Sequence, residues 1–193
     1  MNENERPFVT VVSGLPRSGT SMMMQMIEAG GITAMTDNLR TADDDNPKGY
    51  FELEAVKKTK TESSWLNEAV GKVVKIIYLL LYDLPDNYNY RVVFMNRRIE
   101  EVLASQSKML ERRGETGASV DNEKLKLIFA AQLEKSRKWL KQQKNFDVQF
   151  VNYHDVVQDP LAESKAIAEF LGGQVDVDAM SSAVTDKLYR QRS

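Results

Sequence analysis

The stretch that decides the fold is Phe8-Val9-Thr10-Val11-Val12-Ser13 followed directly by Gly14-Leu15-Pro16-Arg17-Ser18-Gly19-Thr20-Ser21. The first six residues form an apolar run that is typical of a buried parallel strand. The glycines of the second segment let the backbone curl so that successive N–H groups face one anion, and a helix that begins near Thr20 adds its positive end. The sequence therefore predicts a phosphate-binding loop between a strand and a helix, and that helix ends at Gly30-Gly31.

The charges around this loop indicate an anion site without a metal. The spacing Gly14-x4-Gly19 matches the phosphate loop of nucleotide triphosphatases, in which a lysine reaches the phosphates and a strand-end Asp helps to hold magnesium. Here Thr20 replaces the lysine, and the positive charge has moved to Arg17. A later predicted strand ends in Asn96-Arg97-Arg98, where cations would repel Mg²⁺ and attract a further phosphate.

Strand and helix patterns alternate along the rest of the chain. Apolar runs predict strands at 73–77, 90–95 and 148–151, with a short one at 32–35. Apolar faces and end signals predict helices at 98–111, 122–142 and 160–171, with 53–69 helical in pieces. This alternation predicts one domain over residues 1–193 with an α/β fold, a P-loop NTPase-like three-layer sandwich around a central, mainly parallel sheet. The polar segment 36–50 is predicted to be a solvated loop, or a lid or substrate loop because of its length.

Composition excludes several classes of site. The chain has no cysteine and one histidine, His154, so disulfides, thiolate ligands and multi-histidine metal centres are excluded. A net charge of −2 gives no sign of a nucleic-acid partner. The apolar runs are far too short for a membrane span. The polar, acidic first residues do not resemble a signal peptide, and we expect a cytoplasmic protein.

Two motifs together resemble the sulfotransferases that use 3′-phosphoadenosine 5′-phosphosulfate (PAPS). The segment 16–21 is similar to their 5′-phosphosulfate loop, and closest to the Pro-Arg-Ser-Gly-Thr-Thr version of tyrosylprotein-type enzymes. The family's 3′-phosphate motif pairs a strand-end arginine with a serine eight positions on, as Arg97 and Ser105 are spaced here. Basic residues near the chain end also serve that phosphate in the family, which adds Arg190 and Arg192 as candidates. The resemblance thus implies PAPS as co-substrate, bound by Pro16, Arg17, Ser18, Gly19, Thr20, Ser21, Arg97, Ser105, Arg190 and Arg192.

Weaker matches extend the resemblance over about residues 8–172, and two departures stand out. The segment 151–157, followed by Asp159-Pro160 and 168–172, is similar to the family's closing strand and helix. The segment 71–77 resembles the strand that carries Lys-Thr-His in cytosolic members. The catalytic histidine of those enzymes would fall at Ile77, and the aromatic residue that stacks on adenine would fall at Met22. The chain is also short for the family, so we expect its acceptor-binding elements to be minimal or supplied by a partner. A homo-oligomer is one of the alternatives for its oligomeric state.

Sulfuryl transfer needs cations for the leaving phosphate and a base for the acceptor's proton. Arg17 is the candidate cation, assisted by Lys75. Two carboxylates are candidates for the base: Asp37, near the position of a glutamate in enzymes with a similar loop, and Glu52, in a segment also seen in bacterial sulfotransferase-like sequences. Either carboxylate could instead cap a helix, and Asp37 is slightly favoured as the base. His154 is predicted to be structural.

The sequence therefore predicts a sulfotransferase that moves a sulfuryl group from PAPS to a hydroxyl or amine of a small-molecule or glycan acceptor, without a metal. A small-molecule kinase of the same fold is the alternative, but Thr20 in place of lysine and the missing strand-end Asp count against it. A nucleotide-binding module without catalytic activity is a third hypothesis, because the family's histidine is replaced at Ile77.

Overall fold

The computed structural model describes residues 8–39, 49–112, 114, 121–173 and 175–184. Within these ranges four strands form one sheet, and every pairing in it is parallel. The strands β1 (Phe8–Gly14) and β3 (Asn89–Asn96) are central, whereas β2 (Val73–Lys75) and β4 (Phe146–Asn152) lie at the two edges. The predicted parallel sheet is confirmed.

Helices follow the strands along the chain, as the α/β pattern predicts. In the described residues the α-helices are α1 (Thr20–Ala29), α2 (Leu66–Ala69), α3 (Ile99–Arg112), α4 (Asn122–Leu140), α5 (Tyr153–Gln158), α6 (Pro160–Phe170) and α7 (Val177–Ser182). Two 3₁₀ helices span Glu54–Lys58 and Tyr78–Asp83. The helices predicted from periodicity, α1, α3, α4 and α6, agree with the structure to within about two residues.

The structure differs from the predicted secondary structure in a few short segments. The predicted strand at 32–35 is reduced to a single bridge between Ala34 and Val73, because the chain turns away at Thr36 to bond with the Glu52 backbone. The helices α5 and α7 were not predicted, since six residues give fewer than two turns of apolar pattern.

Alternating side chains of the sheet separate two cores. On one face Val9 and Val11 of β1 pack with residues of α2, α3 and α4. On the other face Val12 of β1 packs with residues of α1, α5, α6 and α7. Successive residues of a strand point to opposite faces, so a strand with apolar residues on both sides must be covered on both sides. The three-layer sandwich predicted from the sequence is confirmed.

The strand register brings three chain segments to one edge of the sheet. Gly14, the last residue of β1, lies opposite Met95 of β3, and Val12 lies opposite Lys75 at the end of β2. Because all the strands are parallel, their carboxyl ends meet at this edge. The predicted phosphate loop, Lys75 and the segment after Asn96 are therefore neighbours.

One prediction tests how tightly the loop is packed against this edge. Gly19 has φ +99° and a Cβ there would lie 2.4 Å from the Tyr153 ring, whereas Gly31 has φ +103° and open space around it. An alanine at Gly31 measures the backbone strain alone, about 1–2 kcal/mol. We expect Gly19→Ala to lower the free energy of unfolding by about 1–3 kcal/mol more than Gly31→Ala does, as is usual for overpacking. Urea unfolding measures both, and equal losses would contradict this packing.

Candidate functional site

The loop after β1 is a tight backbone turn that lies close against the end of β3. Arg17 has φ +71°, and the Ser18 N–H donates to the Leu15 carbonyl over 3.1 Å. A Cβ at Gly14 would lie 2.6 Å both from the Met95 carbonyl oxygen and from Ser18 Oγ. The loop is therefore in direct contact with the end of β3, and glycine is required where the two backbones meet.

The helix α1 begins at this loop with its N-terminus open. Gly19 is the N-cap residue, in a left-handed conformation, and no side chain caps the helix. The first N–H groups of a helix have no carbonyl partner within the helix, and they carry the positive end of the helix dipole. The turn and the helix together therefore provide a site for an anion.

A cavity of about 360 Å³ opens in front of the loop. It brings together most of the residues predicted to bind the nucleotide, together with Glu52 and Lys75. Its lining residues are Pro16, Arg17, Gly19, Thr20, Ser21, Met22, Gln25, Tyr50, Glu52, Lys75, Ile77, Arg97, Ser105, Gln106, Met109 and Tyr153.

Three predicted binding residues are not part of this lining. Ser18 is buried under the loop, and its hydroxyl has no hydrogen-bond partner among the described residues. Its N–H already donates to the Leu15 carbonyl within the turn, so Ser18 stabilises the loop from its buried side. Arg190 and Arg192 lie outside the described residues.

One end of the cavity is cationic. Arg17 Nε donates to Ser105 Oγ over 3.0 Å, which gives this half-buried hydroxyl the partner that its place on an apolar helix face requires. Arg97 Nη1 donates to the Arg17 carbonyl over 3.3 Å, and its guanidinium lies 4.4 Å from the centre of the Tyr153 ring. The structure thus joins the loop, the end of β3 and helix α3 at one point.

A buried acidic residue that the sequence analysis missed fixes the orientation of this arginine. Glu101 Oε2 lies 2.9 Å from Arg97 Nε, and the two side chains are 11% and 8% exposed. An ion pair this deeply buried must be well bonded to offset desolvation, and a guanidinium has five donors to share. Spacing by four residues at a helix start is the signal in the sequence that could have indicated the pair.

The other end of the cavity combines a carboxylate with a lysine. Lys75 Nζ donates to the Tyr50 carbonyl and lies 3.9 Å from Glu52 Oε1. Ser21 Oγ donates to the same Tyr50 carbonyl over 3.5 Å. The Glu52 side chain is the more exposed of the two, and both residues line the cavity.

Asp37, the other candidate base, lies outside the cavity lining and holds backbone groups instead. Its carboxylate accepts the N–H of Glu54 over 2.6 Å and that of Leu39 over 3.0 Å. These N–H groups, Glu54 first, hold the pKa of Asp37 below its usual value. Its own N–H donates to the Glu52 carbonyl over 3.2 Å. Asp37 therefore supports the segment that carries Glu52, and of the two carboxylates it is Glu52 that lines the cavity.

The comparison with protein families identifies the chain. The model of the sulfotransferase domain family matches residues 9–191. The chain belongs to the sulfotransferase family. Membership in this family indicates a transferase enzyme that moves sulfuryl groups. No curated protein matches the sequence.

Solved structures share the fold of this sulfotransferase at low sequence identity. The sulfotransferase domain of the Synechococcus PCC 7002 olefin synthase has a TM-score of 0.54 at 13% identity, over 95% of this chain and 80% of that one. A sulfotransferase from Alicyclobacillus acidocaldarius has a TM-score of 0.52 at 14% identity, over 97% and 87% of the two chains. The sulfotransferase domain of the curacin biosynthetic pathway has a TM-score of 0.51 at 14% identity, over 95% and 85%.

Two residues at which this chain departs from the family's pattern lie beside the site. Ile77 and Met22 both line the cavity of this sulfotransferase, and Ile77 is 40% exposed. His154 lies on α5 and is not one of the lining residues. Among the described residues no three His, Asp or Glu side chains are grouped as a metal site. None of the helices within the described ranges is long and apolar enough to cross a membrane.

The depressed pKa of Asp37 predicts an acid-dependent contribution to stability. A lowered folded-state pKa gives stability that is present above the unfolded value of about 3.9 and is lost as pH falls through the folded value. We therefore expect Asp37→Asn to unfold more easily than the wild type at pH 6. The difference should shrink as the pH falls from about 5 to about 3. Urea unfolding across this range measures it.

Asp147→Asn serves as the control for this measurement, because Asp147 is exposed on the edge strand β4. We expect this variant to follow the wild type at every pH. A constant difference between Asp37→Asn and the wild type from pH 6 to pH 3 would contradict the assignment.

Proposed function

We propose that this sulfotransferase moves a sulfuryl group from PAPS to a hydroxyl or amine of a small-molecule or glycan acceptor. The observation that carries the proposal is the joining of two anion sites in one cavity. The open N-terminus of α1 provides the first, and Arg97 and Ser105 provide the second. A nucleotide with phosphates at both its 5′ and its 3′ positions matches such a pair of sites.

The residues of the chain fit this co-substrate. Gly19, Thr20 and Ser21 line the cavity at the start of α1, where backbone N–H groups can bind the 5′-phosphosulfate. The Arg97 guanidinium donates one hydrogen bond to Glu101 and one to the Arg17 carbonyl, and these two bonds fix the plane of the guanidinium. Its other N–H groups can donate to a phosphate. The structure does not show a stacking partner for adenine at Met22, which is buried.

Each end of the cavity has its own task in the reaction. When bound, PAPS supplies an activated sulfuryl group, so that a bond from sulfur to the acceptor's oxygen or nitrogen forms while the sulfur–oxygen bond to the phosphate breaks. The Glu52 carboxylate takes the acceptor's proton. Arg17 and Lys75, which both line the cavity, are the cations for the negative charge that develops on the departing phosphate.

The binding of 3′-phosphoadenosine 5′-phosphate (PAP) tests the proposed function without knowledge of the acceptor. We expect PAP to bind equally well with and without EDTA in calorimetry, because arginines and backbone N–H groups hold the phosphates. Ser105→Ala should weaken PAP by about 1.5–3 kcal/mol, the usual effect of a hydrogen bond to a charged group. It should weaken AMP much less, since AMP lacks the 3′-phosphate and feels only the lost bond to Arg17. Binding of ATP with Mg²⁺ in preference to PAP would instead favour the kinase.

Ser107→Ala is the matched control for this experiment. Ser107 lies two residues further along α3, is exposed, and does not line the cavity. It should bind PAP as the wild type does. If both variants lose the same affinity, or if Ser105→Ala weakens AMP as much as PAP, Ser105 does not bind the 3′-phosphate.

A second pair of variants tests the base. Glu52→Gln should lower turnover by about 10²–10⁴-fold, as the loss of a general base does, and should leave PAP affinity intact. Asp37→Asn should lower turnover less, because it acts on Glu52 only through the backbone. Release of PAP from PAPS with a small-molecule extract as acceptor mixture measures both. A larger loss in Asp37→Asn than in Glu52→Gln would reverse the assignment.

A further inference from the structure

Gln25 is a buried polar residue for which the proposed function has no role. It lies on α1, lines the cavity and is only 7% exposed. Neither its amide nitrogen nor its amide oxygen has a hydrogen-bond partner among the described residues. The great majority of buried side-chain amides in proteins are bonded, so an orphaned one beside a cavity requires an explanation.

The orphaned amide lowers the stability of the protein as it stands. A side-chain amide carries two donors and a carbonyl acceptor, and burial of unpaired groups of this kind is costly. An apolar side chain of similar length would fill the same volume without that cost, as the methionines around Gln25 on α1 do. Residues retained at such a cost are frequently those that meet a ligand.

The position of Gln25 shows which end of the cavity it serves. It lies one turn beyond Ser21, and residues four apart share a face of a helix. Ser21 and Lys75 both bond to the Tyr50 carbonyl, so this face of α1 is turned towards the end that holds Glu52 and Lys75. The cationic end at Arg97 and Ser105 belongs to α3 and the end of β3. Gln25 therefore lies towards the Glu52 end of the cavity, which the proposed function gives to the acceptor.

We propose that Gln25 selects the acceptor by binding a second hydroxyl group next to the hydroxyl that receives the sulfuryl group. A hydroxyl accepts from the amide NH₂ and donates to the amide oxygen, so one such group satisfies both halves of the side chain. The acceptor class is then a vicinal diol, as found in polyols and sugars, and the exposed Ile77 side chain contacts its carbon skeleton. This inference rests on the proposed function, because it takes the Glu52 end as the acceptor's end.

The experiment compares Gln25→Met with the wild type in stability and in selectivity. We expect the variant to melt about 2–4 °C higher, because it removes an unpaired buried amide, and to bind PAP as the wild type does. With labelled PAPS, the wild type should sulfate trans-1,2-cyclohexanediol about tenfold faster than cyclohexanol, measured as kcat/KM. In Gln25→Met this preference should fall to about two, the statistical factor for a substrate with two equivalent hydroxyls, through loss of activity on the diol. Gln142→Met, at an exposed glutamine after α4, should change neither quantity.

Each outcome decides a separate point. A lower melting temperature in Gln25→Met would show that the amide has a partner within the protein, and would overturn the proposal. A diol preference that survives the substitution, or wild-type protein that does not sulfate the diol, would overturn the assigned acceptor class. Failure of the proposed function itself is recognised independently, since wild-type protein would then not bind PAP in EDTA.

Discussion

The site depends on one steric constraint, the contact between the loop after β1 and the end of β3. A Cβ at Gly14 would collide with the Met95 carbonyl, and one at Gly19 would collide with the Tyr153 ring. Only because both positions lack a side chain does the loop lie against the sheet edge, with the Arg17 carbonyl in reach of Arg97. The anion site at the start of α1 and the cationic end of the cavity are thus placed by the same two glycines.

From this constraint the cavity acquires two chemically different ends. At one end cations are fixed by buried partners, as Arg97 is by Glu101. At the other end the Asp37 N–H donates to the Glu52 carbonyl, and Lys75 Nζ donates to the Tyr50 carbonyl. These two hydrogen bonds hold Glu52 and Lys75 in place. Charged groups that are held in place before the substrate binds need no reorganisation during the reaction, which is how preorganised sites lower a barrier. Asp37 contributes to this order as a bonding partner of backbone N–H groups.

The sequence predicted those parts of the fold and site that depend on local patterns. The run Phe8–Ser13, the glycine spacing and the apolar faces of α3 and α4 each lie within a few turns of chain, and all correspond to elements of the structure. The role of Asp37 could not be read this way, because it depends on which backbone N–H groups the fold places beside its carboxylate. The pairing of Arg97 with Glu101, four residues apart, is a local signal that the sequence does contain. The unpaired amide of Gln25 could not be predicted from the sequence for the same reason as the role of Asp37. Its orphaned state exists only in the packed protein, and in the sequence it is one polar residue among four methionines.

The three-residue length of β2 has a consequence for how such a site changes during evolution. Lys75 ends an edge strand that pairs with β1 over three residues, whereas the phosphate loop and Arg97 follow the two long central strands. Edge elements with few bonds open at lower free energy than central ones, and amide hydrogens there exchange sooner. The half of the site that we propose for the acceptor is thus built on the edge of the sheet with the fewest strand pairings. Insertions and substitutions at this edge would change that half with little effect on the central strands, which carry the half that we propose for the nucleotide.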